Sequence, residues 1–292
     1  MEHLPLGLTR CEELGAMNSA EKLACLTVDL EQDFGDLNPS PTFEGLALVP
    51  RLVEFARDSG TPLSWFVQGS LFEGQPRSVE QAAEASPADV YLHGYSHNDP
   101  RSVEHIAEIR RGMQAFESSL GRQPVGYRAP LGVISSEELD FLAQNRFCFD
   151  SSIFPTWRPG RFCHLAAPNR PRLLNGLGML EIPISVVGRL MPVPLSVSYL
   201  KLLGRPFRRA LRSVPLPQVV VVGMHMHDLE PLASADCLAA SGENPLVLDR
   251  CYGARAARGW RVLEELLSTL RGRGYRFIGV GELASMHRSP HR

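Results

Sequence analysis

The sequence predicts an α/β fold in which strands and helices alternate from one end to the other, arranged as a parallel sheet or a (β/α) barrel. Three observations carry that prediction. Apolar runs of strand length recur between amphipathic segments of helical period, which is the signature of βα units. The 292 residues suffice for one large core. Residues able to do chemistry fall just past the ends of expected strands, on the rim where a (β/α) barrel assembles its site.

Taken in order, Leu23-Ala-Cys-Leu26 reads as a buried strand running into Thr27-Val-Asp-Leu-Glu-Gln-Asp33. Residues 46–58 read as a helix with apolar positions at 48, 49, 52, 53 and 56, closed by Ser59-Gly60. A strand at 62–67, a short helix at 79–85 and a strand at 90–92 follow, the last delivering His93. Residues 102–120 form a strongly amphipathic pattern, with Val103, Ile106, Ile109, Met113, Phe116 and Leu120 on one side, and Gly121 closes it. Next come a strand-loop at 125–132, a helix from Ser136 as N-cap to Asn145, and a short strand at 147–149 that ends at Asp150.

Beyond residue 156 the pattern loosens into a proline-rich stretch, with a strand expected at 179–184 and a Pro/Arg-rich insertion around 186–217. The most strand-like run, Gln218-Val-Val-Val-Val222, feeds Gly223-Met-His-Met-His-Asp228, and a helix at 256–271 and a strand at 275–280 finish the pattern. The expected organisation is a loosely ordered leader at 1–20, one barrel domain at 21–286 and a tail at 287–292.

Composition narrows the function. A net charge of −2 gives no overall basic bias, so nucleic acid is not an expected partner. Six cysteines without CxxC spacing argue against structural zinc held by thiolates. The first residues lack a basic segment followed by an apolar one, and no stretch of 18 apolar residues occurs, so a cytoplasmic location is expected.

The chemistry centres on His93-Gly-Tyr-Ser-His97. Two imidazoles four residues apart share one face if the segment is helical, which makes half of a metal site. A third ligand must come from elsewhere, and the three carboxylates of the 27–33 stretch are the best candidates. A second histidine cluster lies at His225 and His227. On alternating positions of a strand these would face opposite sides, so one at most would reach a given pocket.

With these motifs in this order, residues 23–285 resemble the polysaccharide deacetylase family (carbohydrate esterase family 4, the NodB-homology domain). Thr27-Val-Asp29-Leu30-Glu31 is similar to its first motif. His93 to His97 is similar to its second, with Gly94 where a hydroxyl residue stands. Arg128-Ala-Pro130-Leu-Gly132 matches the third, Asp150-Ser-Ser152 the fourth, and Val219 to His225 the fifth. The run His225-Met-His-Asp228-Leu-Glu230-Pro231 looks closest to a branch linked to exopolysaccharide or surface-glycan assembly.

The resemblance implies a distorted (β/α)7-8 TIM-like barrel of the NodB-homology type and a metal-dependent hydrolase that removes an N-acetyl or related acyl group from an amino sugar. It implies Glu31, His93 and His97 as ligands of one divalent ion, with Asp33 as the fallback for Glu31. Zinc suits that donor set. Asp29 is the implied base and Arg128 holds it in line. His225 is the implied acid, with His227 as the alternative and Asp150 as the carboxylate that keeps the imidazole charged. The backbone N–H of Leu131 would join the oxyanion site. The expected substrate is an amino-sugar glycan or a lipid-linked glycan precursor. Leu190 to Pro217, apolar residues mixed with Lys201, Arg205, Arg208, Arg209 and Arg212, suggests weak peripheral contact with an anionic membrane at its inner face. A metal hydrolase acting on a formamide, a cyclic amide or an O-acetyl ester is one alternative, and an inactive glycan-binding barrel is another.

Overall fold

The computed structural model describes residues 21–38, 40–97, 104–240, 244–253 and 257–287. The expected leader at 1–20 and the end of the tail lie outside these residues, as do 98–103, where the amphipathic helix was expected to begin.

The barrel wall is built from β1 (Lys22–Leu30), β2 (Leu63–Val67), β3 (Val90–Leu92), β4 (Gly126–Tyr127), β5 (Phe149–Asp150), β6 (Met179–Glu181), β7 (Val219–His225) and β8 (Tyr275–Phe277). They stand in the order β7-β1-β2-β3-β4-β5-β6, all parallel, with β8 parallel to the start of β1. Arg172–Leu174 adds an antiparallel strand outside β6. Past β6 the chain turns back toward β7, and the Ser185 N–H donates to the Val221 carbonyl at 3.0 Å, which helps to close the ring. Strands covered on both faces read as continuous apolar runs, and β1 follows this: every residue after Lys22 is buried.

Helices cover the outside: α1 (Val49–Asp58), α2 (Pro76–Ala85), α3 (His105–Leu120), α4 (Ser136–Gln144), α5 (Val197–Ala210) and α6 (Gly259–Gly272). Helix α3 presents Ile109, Gly112, Ala115 and Phe116 to the core and ends at Gly121, whose φ of 65° permits the left-handed turn. The cap of α4 is Ser135 rather than Ser136. Its Oγ accepts from the Glu138 N–H while Glu138 accepts from the Ser135 N–H, a reciprocal capping box.

The loosened stretch holds more order than its pattern suggested. It contains two short hairpins, Trp157–Arg158 with Phe162–Cys163 and Val186–Val187 with Val193–Pro194, followed by α5. Helix α5 does not lie free as a surface helix. Val197, Leu200 and Lys201 are buried, and Arg208 pairs with Glu265 of α6 at 2.8 Å. Cys25, Cys163 and Cys251 are free thiols. Among the described residues, no helix is long and apolar enough to cross a membrane.

Candidate active site

Parallel register decides which strand ends meet. Asp29 of β1 lies directly opposite His225 of β7, and Asp150 of β5 directly opposite Glu181 of β6. The C-terminal ends of the strands surround a cavity of about 340 Å³ whose lining includes Asp29, Glu31, His93, His97, Arg128, Leu131 and His225. Sites for small molecules are commonly of this size.

Glu31, His93 and His97 converge. The Nε2 atoms of both imidazoles lie 2.9 Å from Glu31 Oε2, and all three residues are buried. The helix expected to bring the histidines together is absent: residues 93–97 form a loop directly after β3, and α3 starts only at His105. The loop can turn because Gly94 adopts φ 62°. His93 Nδ1–H donates to the Arg128 carbonyl at 2.8 Å, which orients the ring with Nε2 facing Glu31. Burial by itself would raise the Glu31 carboxyl, but the charge of His97 and the hydrogen bonds from His93 and His97 outweigh it and hold it well below the usual range.

Asp33, the fallback ligand, is committed elsewhere. Its oxygens accept from Thr42 Oγ1 at 2.9 Å, the Glu44 N–H at 2.7 Å and the Gly45 N–H at 3.0 Å, which pins the loop after β1.

Arg128 is fully buried and reaches Asp29 Oδ1 through Nη1, which also donates to Thr27 Oγ1 at 3.0 Å. Its remaining nitrogens are held by Ser151: Nη2 donates to the hydroxyl at 3.0 Å and Nε to the carbonyl at 3.2 Å. The guanidinium lies 3.9 Å above the centroid of the Phe66 ring. With its fork anchored on two sides, Arg128 sets the direction in which Asp29 can present its free oxygen.

His225 Nε2 stands 3.8 Å from Asp29 Oδ2 and 3.7 Å from Glu31 Oε1. Its carboxylate partner differs from the expected one. Asp228, not Asp150, accepts from the His225 backbone N–H at 2.9 Å and faces ring Nδ1 at 3.3 Å. Asp150 accepts instead from the Ser152 N–H and hydroxyl, and the Ser152 Oγ in turn accepts from the Ala129 N–H at 2.7 Å. The fourth motif therefore fastens the loop carrying Arg128 and Leu131. The reason is position on the ring: Asp150 ends β5 beside Glu181 of β6, which stands between it and β7, whereas Asp228 follows β7 by one short turn.

That turn also corrects the expectation for His227. The strand ends at His225, and Met226–Asp228 is a 3-10 turn, so the two rings stack at 4.8 Å with an 8° tilt and both line the cavity. Burial and the neighbouring charge of His225 lower His227 to about 3, and its Nδ1 accepts from the Phe34 N–H at 3.1 Å. A neutral ring so held is a poor proton donor. Burial pulls His225 the same way, but the hydrogen bond to Asp228 and the charges of Glu31, Asp228 and Asp29 override it and raise the imidazole to about 9.

Three contributors escaped the sequence reading. Ser198 Oγ donates to Asp228 Oδ1 at 2.7 Å, and the buried Lys201 ammonium donates to the Asp228 carbonyl at 2.7 Å while standing 3.5 Å from Oδ1. Both come from α5, in the stretch with the weakest local pattern. Gly35 allows His97 to pack, since a Cβ there would lie 2.9 Å from its Cε1. Asp228 could have been read as the acidic third position of a cap at His225; nothing local pointed to Ser198 or Lys201.

Two imidazoles and a carboxylate directed at one point, beside a guanidinium-anchored carboxylate and a charged imidazole, are the group types from which a hydrolytic site can be assembled. The donor chemistry fits a divalent ion at Glu31, His93 and His97, which form a compact group with ligand atoms within 4.8 Å of one another. The polysaccharide deacetylase family profile matches residues 18–147 of the chain. A curated relative, the peptidoglycan deacetylase-like protein FGM2 of Gibberella zeae, is 30% identical over 118 residues, which are 38% of this chain and 34% of that protein. The chain thus spans about a third of the length of the curated relative it matches.

Solved structures share the fold. A Mycobacterium smegmatis protein assigned as a polysaccharide deacetylase superposes with a TM-score of 0.59 at 20% identity, covering 94% of this chain and 93% of that one. The PuuE allantoinase gives 0.60 at 12% identity, covering 92% and 91%. BA3943 of Bacillus anthracis, described as a CE4 family pseudoenzyme, gives 0.52 at 13%, covering 96% and 71%. The resemblance to the polysaccharide deacetylases is thereby shown, and the fold is the NodB-type (β/α) barrel; active members of that family are hydrolases acting on carbon–nitrogen bonds other than peptide bonds.

Proposed function

We propose that this chain is a metal-dependent deacylase that hydrolyses an N-acetyl group on an amino sugar of a glycan or lipid-linked glycan precursor at the cytoplasmic side of a membrane. The observation that supports it above the others is the meeting of Glu31, His93 and His97 with Asp29 and His225 in one cavity. A divalent ion held by Glu31, His93 and His97, with zinc the best match to two imidazoles and a carboxylate, would supply Lewis acidity toward the amide carbonyl and toward water.

The remaining work falls to the protein's own groups. Asp29, with one oxygen tied to Arg128, has the other turned into the cavity, where it takes the proton of the attacking water. Arg128 keeps Asp29 aligned. His225, held by Asp228 through Nδ1, presents Nε2–H to the amide nitrogen and gives it the proton that lets the amine leave. The backbone N–H of Leu131, on a loop held by Ser152, would donate to the oxyanion.

The test pairs elemental analysis of the purified chain with acetate release from hexosamine oligomers and lipid-linked glycans. His93→Ala should lose both metal and activity. Asp29→Asn should retain metal while activity falls by roughly 10²- to 10⁴-fold. Undiminished turnover in Asp29→Asn would remove the assigned mechanism. N-formyl and O-acetyl substrates in the same panel separate amide deacetylation from hydrolysis of other carbonyls.

A further inference from the structure

The charge of this chain is unevenly placed. Residues 151–227 hold ten cationic side chains and one carboxylate, Glu181, which is buried; the rest of the chain holds 20 cationic and 31 anionic. That basic stretch makes both hairpins and α5, and it supplies one side of the cavity through Thr156, Arg158, Pro194 and Tyr199.

Exposed apolar side chains gather at the same place. Thr156 and Arg158 line the cavity, and Trp157 between them is 61% exposed. Pro194 lines it too, and the tip of its hairpin carries Leu190 and Met191, 98% and 81% exposed. Thr156 Oγ1 donates to the Pro192 carbonyl at 2.6 Å, which ties the two hairpins together. Leu246, 65% exposed, precedes the lining residue Val247. Large apolar residues placed in water at the mouth of a site, interleaved with Arg158 and Arg189, are costly unless something covers them.

We infer that the mouth of the cavity docks on an anionic lipid bilayer, with Leu190, Met191 and Trp157 entering the headgroup region and Arg158 and Arg189 facing its phosphates. Charge selects this occupant: a basic stretch with no exposed carboxylate complements an anionic lipid surface, whereas a second copy would set two basic faces against each other. Apolar tips with basic neighbours are the combination that binds bilayer interfaces. The inference rests on the preceding reading in one respect, since docking by the mouth presents a lipid-anchored glycan directly to Asp29 and His225. The membrane-facing elements are then the hairpin tips, and the basic end of α5, where Arg208 is paired with Glu265, is not among them.

Sedimentation of the full chain with phosphatidylcholine vesicles and with vesicles containing phosphatidylglycerol tests it without any turnover. Binding should require the anionic lipid, weaken with salt, and drop at least about tenfold in the Leu190→Ser/Met191→Ser double variant, whose changes are confined to solvent-exposed positions. Emission from Trp157 should shift to the blue on binding, and the shift should vanish in Trp157→Phe. Equal binding to both vesicle types, no binding, or undiminished binding of the double variant overturns the inference. So does a dimer that the double variant dissociates without any vesicle binding, because the mouth would then belong to a second copy. Vesicle binding without acetate release would sink the deacylase reading alone, and acetate release without vesicle binding the docking alone.

Discussion

Gly94 stands between the two histidines at φ 62°, and a Cβ built there would come within 3.0 Å of Pro130 Cγ. Both features explain why a hydroxyl-bearing residue is absent at this position: a side chain would strain the turn and press on the loop that carries Arg128 and Leu131. Gly94→Ala should cost about 1–3 kcal/mol by urea unfolding and weaken metal retention, because His93 and His97 lose their common aim. A variant as stable as the parent would show that the turn carries no strain. At this scale the sequence was partly legible. Spacing marked His93 and His97, and composition marked three carboxylates, but the choice between Glu31 and Asp33 needed the resemblance. In the fold, the backbone donors of Glu44 and Gly45, close only after the chain has folded back, consume Asp33.

At the scale of elements, β5 and β6 bring Asp150 and Glu181 side by side in the buried floor of the barrel. Burial, then the charge of Asp150, push Glu181 well above the ordinary carboxylate value, and burial raises Asp150 against the hydrogen bonds that favour its charge. Glu181 Oε2 has no donor facing it among the described residues, which fits a proton held on that oxygen and given to Asp150. The folded chain therefore binds more protons than the unfolded one from the ordinary carboxylate range upward. The pair's stabilisation is complete below that range and is lost as pH rises through the raised folded values. Glu181→Gln cannot ionise and can still donate, so its stability should fall less than the parent's between about pH 4 and neutrality. Denaturant titrations at a series of pH values measure this, and parallel profiles for the two proteins would contradict the shared proton. Strands and helices with clear periodicity were legible from their own residues. Helix α5 was not, since Gly204 and Pro206 interrupt its pattern and its burial depends on packing against α6.

At the scale of the whole molecule, the proposed metal set draws on the residue after β1 and the loop after β3, and the proposed acid and base on β7 and β1, so an ion bound at Glu31, His93 and His97 would tie together segments distant in the chain. Ligand that binds only the folded state stabilises it, by about 2.7 kcal/mol at a hundredfold excess over Kd. Thermal unfolding with excess zinc should therefore occur at higher temperature than after chelation, with no such difference in His93→Ala. A zinc-induced rise of the same size in His93→Ala would move the ion to another site.

The sequence by itself determined the alternation of strands and helices, the rim on which chemistry would sit, and the residue types that gather there, because burial periodicity and strand ends are local properties of the chain. Tertiary structure alone decided which carboxylate faces which imidazole. Parallel register set Asp29 against His225 and Asp150 against Glu181, the turn after β7 gave His225 to Asp228, and α5 brought Ser198 and Lys201 behind it. Such pairings join residues up to about two hundred positions apart, and no local pattern encodes them; they follow from how the barrel closes.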